Sequence, residues 1–205
     1  GEKYPKELGA AAYKLTAKIP GGRGVYTFCM CPGGYVVNAS SEEGMLAVNG
    51  MSYHDRAGQN ANSAVIVTVF PEDFEKKHPL AGIAFQRKLE KAAYEAGNGK
   101  IPVQRYGDFY EEVTGQKKEE EKPEESDLMP CMKGVYQYAS LKSILPEEFN
   151  QALVSGIEEF GRKIKGYNAP DTVLSAVESR TSSPVRILRN EQMESETSGL
   201  YPCGE

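Results

Sequence analysis

The sequence is poor in histidine, with only His54 and His78 in 205 residues. Neither lies in the helical H-E-x-x-H pattern of a zinc protease or beside a nucleophile elbow, so metalloprotease and serine-hydrolase chemistry have no anchor. His78, just ahead of Pro79, reads as a solvated loop residue. Long apolar runs are missing too: AVIVTVF, Ala64–Phe70, falls far short of the roughly 20 residues that cross a bilayer. The opening GEKYPKELGAAAYKL is charged from the start and has no apolar signal segment, so a cytoplasmic location and no membrane partner are expected. There is no basic excess: 24 Lys and Arg stand against 29 Asp and Glu, a net charge of -5, which argues against a nucleic-acid partner. No G-x-G-x-x-G follows a strand and no G-x-x-x-x-G-K-[ST] occurs, so the chain holds no complete phosphate cradle. Disulfides are not expected of its four cysteines, because the cytosol keeps thiols reduced.

What is present divides by period. AAYKLTAKI alternates apolar and polar residues as a half-exposed strand does. VYTFCMC, GYVVNA and MLAVNG follow, separated by Pro-Gly-Gly and SSEEG, in the manner of successive hairpins. SAVIVTVF is almost wholly apolar and reads as a central strand covered on both faces. The pattern then turns helical. LAGIAFQRKLEKAAYEAG sets Phe85, Leu89, Ala92 and Ala93 against a charged face and ends at a glycine, and YGDFYEEV reads as a short helix. LPEEFNQALVSGIEEFGRKI places Phe149, Leu153, Ile157, Phe160 and Ile164 at helical spacing, with acidic residues at its start and basic ones at its end. Between these helices GQKKEEEKPEESD, residues 115–127, has no apolar residue to bury and reads as a mobile exposed loop. Strand-like sequence returns in APDTVLSAVESRTSSPVRIL.

These elements imply an α+β fold: a mainly antiparallel twisted sheet or partial barrel, built from the early strands and a VRIL strand, with two long helices packed on one side. The β-rich parts fall at about residues 8–75 and 172–190, the helical part at about 80–170.

Several residues look over-specified for packing alone. Cys29 and Cys31 sit two apart, on one side of an extended strand; packing as small hydrophobes at a strand end, with one lining a cleft, is favoured over a metal clip or a redox pair. Gly33 and Gly34 permit close approach of backbone or ligand. Asn49, Ser52 and Asn62 belong to polar sequence around two apolar strands, where side chains either satisfy the loop's own backbone or meet a ligand. Arg180, beside Thr181, Ser182 and Ser183, suits contact with an anion or the anchoring of a turn. Arg23 lies in a glycine-rich turn.

The stretches GRGVYTFCMCPGGYVV, VNGMSYHDRAGQNANSAVIV, HPLAGIAFQRKLEKAAYEAG, AVESRTSSPVRILRN and GLYPCGE resemble the uncharacterised FAD-dependent dehydrogenase family. That family is in turn similar to bile-acid-pathway flavin reductases and aminoacetone-oxidase-like flavoproteins. The resemblance runs nearly end to end and weakens across the charged loop. It implies that residues 1–205 are one inserted, substrate-covering domain of a longer oxidoreductase, whose remaining FAD-binding halves are its partners. FAD would be the cofactor of the whole protein, a small molecule its substrate and NAD(P) an electron donor. The resemblance also implies that Cys29 or Cys31 lines the substrate cavity, that Arg23 holds an anionic substrate group, and that Gly204 and Glu205 contact the cofactor. The competing reading is an interaction module that uses the Cys29/Cys31 pair to bind metal or sense oxidation.

Overall fold

The computed structural model describes residues 13–19, 21–74, 78–118 and 128–203. Among these residues, nine strands fall into three three-stranded sheets, with three α-helices packed among them. The α+β class expected from the sequence is found, without a closed barrel among the described residues.

The first sheet has the order β1-β2-β5, with β1 Leu15–Lys18, β2 Gly24–Cys31 and β5 Asn62–Val67, all antiparallel. The turn into β2 contains Gly21 and Gly22, both at positive φ. Its centre is β2, where Val25 and Thr27, two residues apart, are fully buried on one face. The apolar strand β5 is therefore an edge and not the central strand its composition suggested. Its valines cover a cleft wall where a second neighbouring strand was expected.

The second sheet, β4-β3-β7, pairs β3 Gly34–Asn38 antiparallel with β4 Val48–Ser52 and parallel with β7 Met132–Lys133. The third, β8-β6-β9, centres on the buried β6 Ile101–Arg105, between β8 Tyr136–Tyr138 and β9 Val173–Ser175. The VRIL segment forms no strand; it lies at the surface, with Ile187 and Leu188 exposed. The return strand is β9, about a dozen residues earlier.

Helix α1, Ala81–Ala96, ends where expected; Gly97 follows it because a side chain there would meet the carbonyl of Lys100. Helix α2 spans Tyr106–Thr114 and closes on Gly115 in the left-handed conformation. Helix α3, Glu147–Lys163, carries Glu147 and Glu148 in its first turn and Arg162 and Lys163 in its last, each at the helix-dipole end it favours. The main core joins Leu89 and Ala93 of α1, Ile101 and Val103 of β6, Tyr106 and Phe109 of α2, and Val154 and Ile157 of α3. A smaller cluster of Ala17, Val25, Ala152 and Phe160 fastens α3 to the first sheet. Gly156 makes that approach possible, because a Cβ there would run into the side chain of Val25.

In the charged stretch, residues 115–117 are exposed, while Lys118 pairs with Glu158 at 2.5 Å and lies 4.9 Å from the centre of the Tyr110 ring; residues 119–127 lie outside the described residues. Burial pushes the Glu158 carboxyl up, but hydrogen bonds from Lys118, Tyr106 and Asn168 outweigh it and hold the group below its usual range.

Candidate functional site

Where the three sheets meet α1 and α3, they leave a cleft of about 800 Å³. One wall is β5 and its flanks, Ala61–Val69; Val36, Val48 and Leu89 add apolar surface. Phe85 of α1 and Phe149 of α3 stand 6.0 Å apart, ring centre to ring centre, and Leu153 and Ile157 continue the surface along α3. The stretch from Thr172 to Ser179 and the hydroxyl-bearing Thr181–Ser183 complete the lining. A mostly apolar concavity of this size with a few convergent polar groups has the character of a small-molecule site.

Six of the residues singled out in the sequence line this cleft: Cys29, Asn49, Asn62, Thr181, Ser182 and Ser183. Asn62 is the most constrained of them. Its amide occupies space that Cβ atoms at Gly34 and Gly50 would fill, the former meeting Asn62 Nδ2 at 2.6 Å. Gly34 is thus a glycine because a side chain approaches it. Asn62 Nδ2 is buried without an acceptor among the described residues, an orphan donor of the sort that a bound group can satisfy.

Cys29 sits at a bulge in β2 with φ of 53° and is exposed, whereas Cys31 is half-buried and directs its thiol to the Cys29 carbonyl at 3.5 Å. All four cysteines are free thiols. No three His, Cys, Asp or Glu side chains converge as a metal-ligand group among the described residues, so the metal-clip reading of Cys29/Cys31 finds no further ligands there. Gly33, at φ of 56°, packs against the backbone at Arg56 and Gly58, and Ser52 pairs with Gly34 across β3 and β4; neither lines the cleft. Gly204 and Glu205 lie outside the described residues.

Both arginines serve as anchors. Arg23 Nη1 donates to Asp73 Oδ2 at 2.8 Å and to the Thr68 carbonyl at 2.9 Å, while Nη2 reaches Asp73 Oδ1 at 2.5 Å and Glu148 at 3.1 Å. Its guanidinium stands 4.6 Å from the centre of the Phe149 ring. These contacts tie the turn at Pro71–Asp73 and the start of α3 to β2, and Arg23 does not line the cleft. The arginine's hydrogen bonds hold the Asp73 carboxyl below its ordinary range.

Arg180 grips Glu90 in a two-pronged pair, Nε to Oε1 at 2.8 Å and Nη2 to Oε2 at 2.7 Å. Glu90 is only 1% exposed and also accepts from Ser179 Oγ at 2.6 Å; Arg180 in turn keeps its carboxyl below the usual range. Gln86 Nε2 donates to the carbonyls of Ser179 and Ser182, and Pro184 packs where a side chain at Gly82 would go. Arg180 thus anchors the segment 179–184 to α1, and the three hydroxyl residues beside it are held at the cleft.

Two features escaped the sequence reading. The first is a buried hydroxyl cluster: Tyr167 donates to Thr27 Oγ1 at 2.8 Å, Thr27 donates to Ser63 at 3.3 Å, Ser63 and Tyr167 are 3.0 Å apart, and Tyr13 joins Thr27 at 3.0 Å. Burial pushes the Tyr167 phenol up to about 12. Ser63 and Tyr167 face the cleft. The position of Thr27, among the inward-facing residues of an alternating strand, was the available signal. The second is Glu178, which lines the cleft with no hydrogen-bond or ion-pair partner for its carboxylate among the described residues; burial alone pushes its carboxyl up.

No helix among the described residues is long and apolar enough to cross a membrane. Comparison with known families matches residues 1–181 to the family described as FAD-dependent protein, C-terminal domain-like. An uncharacterised protein of Clostridium beijerinckii is 48% identical over 208 residues, covering 98% of this chain and 37% of the relative. The chain thus spans little more than a third of the length of the relative it matches.

Proposed function

The chain belongs to the FAD-dependent protein, C-terminal domain-like family, and from that premise we propose that it is the substrate-covering domain of an FAD-dependent dehydrogenase. The observation that carries the reading is the apolar cleft with few polar groups, about 800 Å³ in volume, in a domain of an FAD-dependent protein.

The described residues fit one end of FAD and not the other. No glycine-rich strand-to-helix turn stands ready for the pyrophosphate, so the dinucleotide end belongs to other parts of the longer protein. The cleft suits the flavin end and a substrate: Asn62 Nδ2 is a donor in need of an acceptor, and Thr181, Ser182 and Ser183 add hydroxyls at the same cleft. FAD when bound supplies the hydride and electron chemistry. The residues of this chain position the substrate, exclude water through Phe85, Phe149 and the β5 valines, and satisfy polar atoms through Asn49, Asn62 and the hydroxyl segment.

Arg23 and Arg180 take part as braces of the cleft walls, Cys29 as a wall residue, and Gly204 and Glu205 as cofactor contacts. Under this reading NAD(P)H is an electron donor, the protein works in the cytoplasm, and kinship extends to bile-acid-pathway flavin reductases and aminoacetone-oxidase-like flavoproteins. The experiment is to purify the longer protein and measure its flavin. One FAD per chain, bleached anaerobically by NADH or NADPH, is the expected result; a full-length protein that takes up no FAD on reconstitution contradicts the proposal.

A further inference from the structure

Among the described residues that line the cleft, the only Asp, Glu, Lys, Arg or His is Glu178. The rest are apolar, amide, hydroxyl, phenol or thiol groups, or glycine and proline. The nearby guanidinium groups are committed elsewhere, Arg23 to Asp73 and Glu148 and Arg180 to Glu90, and neither lines the cleft. We propose that the cleft takes a largely apolar ligand that carries one positively charged group, and that Glu178 is the ion partner of that group. This inference rests on the reading of the cleft as the substrate site and specifies which substrates it admits.

The argument is one of desolvation. A ligand that fills an apolar cleft strips water from whatever lines it. A carboxylate stripped of water without a partner is costly, whereas the same carboxylate beside a cation recovers the loss through a charge-assisted hydrogen bond. A neutral ligand would desolvate Glu178 and return nothing. An organic anion would do so and add like-charge repulsion, with no cationic side chain lining the cleft to offset it. The order of preference is therefore cation, neutral, anion. The absence of a partner for Glu178 among the described residues is what leaves its carboxylate available to a ligand: Glu90 and Asp73, the paired carboxylates nearby in the fold, already hold their arginines.

The test uses the full-length, FAD-loaded protein and three probes that share one apolar tail, hexylamine, 1-hexanol and hexanoate, titrated calorimetrically and by perturbation of the flavin spectrum. At about pH 7, where an alkylamine is charged and a carboxylate ionised, hexylamine is expected to bind at least about tenfold more tightly than 1-hexanol, with hexanoate weakest. Glu178→Gln should weaken hexylamine and, by removing the carboxylate that a neutral ligand desolvates, tighten 1-hexanol, so that the amine preference disappears. Asn49→Lys, which adds a cation at the exposed rim of the cleft, provides a second variant and should weaken hexylamine while strengthening hexanoate. Binding of all three probes with equal affinity, or an amine preference that survives Glu178→Gln, overturns the inference and leaves the substrate-cleft reading standing. If none of the probes binds, that reading falls and the inference falls with it.

Discussion

At the scale of single residues, charges that the sequence presented as alike have opposite fates. Arg180 holds a carboxylate that is almost wholly buried, while Glu178, two residues earlier, has no partner among the described residues. Arg180→Ala should leave Glu90 buried and unpaired. Because the Arg180 side chain is 41% exposed, solvent softens the loss below the usual range for a buried pair, to about 2 kcal/mol, measurable by denaturant unfolding. Glu178→Gln should do the reverse. Its folded carboxyl titrates above the unfolded value, so ionisation at neutral pH opposes folding, and the neutral isostere should melt at a higher temperature than the parent at pH 7 and lose that advantage in acid. A stabilising substitution that abolishes amine binding would mark Glu178 as a residue kept for function.

Asp73, Glu90 and Glu158 set the acid limb. All three titrate below their unfolded values, so their stabilisation is present above the ordinary carboxylate range and disappears as pH falls through the folded values. Melting temperature should therefore drop on acidification below about pH 4, and Asp73→Asn should flatten part of that fall. The sequence presented Arg23 and Arg180 as polar groups in search of a role. It did not reveal their partners, because Asp73 stands 50 residues from Arg23 and Glu90 stands 90 from Arg180. Glu178 was illegible for another reason: what distinguishes it is partial burial without a polar partner among the described residues, and no local pattern encodes that.

At the scale of elements, periodicity was the reliable guide. Helices α1 and α3 fall within a residue or two of their expected limits, because apolar spacing, a proline at the start of α3 and a glycine after α1 all point the same way. Composition without period misled: the apolar run of β5 forms an edge strand that walls a cleft, and VRIL pairs with nothing. An apolar strand needs cover, but whether a second sheet or a ligand provides it depends on topology. Gly156 gives the element-level prediction. In an exposed helix Gly→Ala is favourable by about 1 kcal/mol; here the added methyl runs into Val25, which is fully buried, so Gly156→Ala should instead destabilise by about 1–3 kcal/mol in equilibrium unfolding. Val25→Ala in the same chain should recover part of the difference.

At the scale of the whole molecule, three small sheets and two helices leave open a concavity that none of them fills. The arginine braces at either side, Arg23 to the start of α3 and Arg180 to α1, hold its walls without entering it. The chain belongs to an FAD-dependent family and spans 37% of a longer relative; under the proposed function, the counterpart of that concavity is the remainder of a longer protein. The most direct test is hydrogen–deuterium exchange on the full-length protein with and without FAD. The account predicts slower exchange on FAD binding along Ala61–Val67 and Thr181–Val185, the segments that line or adjoin the cleft. Protection confined to regions outside this domain, with those amides unchanged, would contradict it.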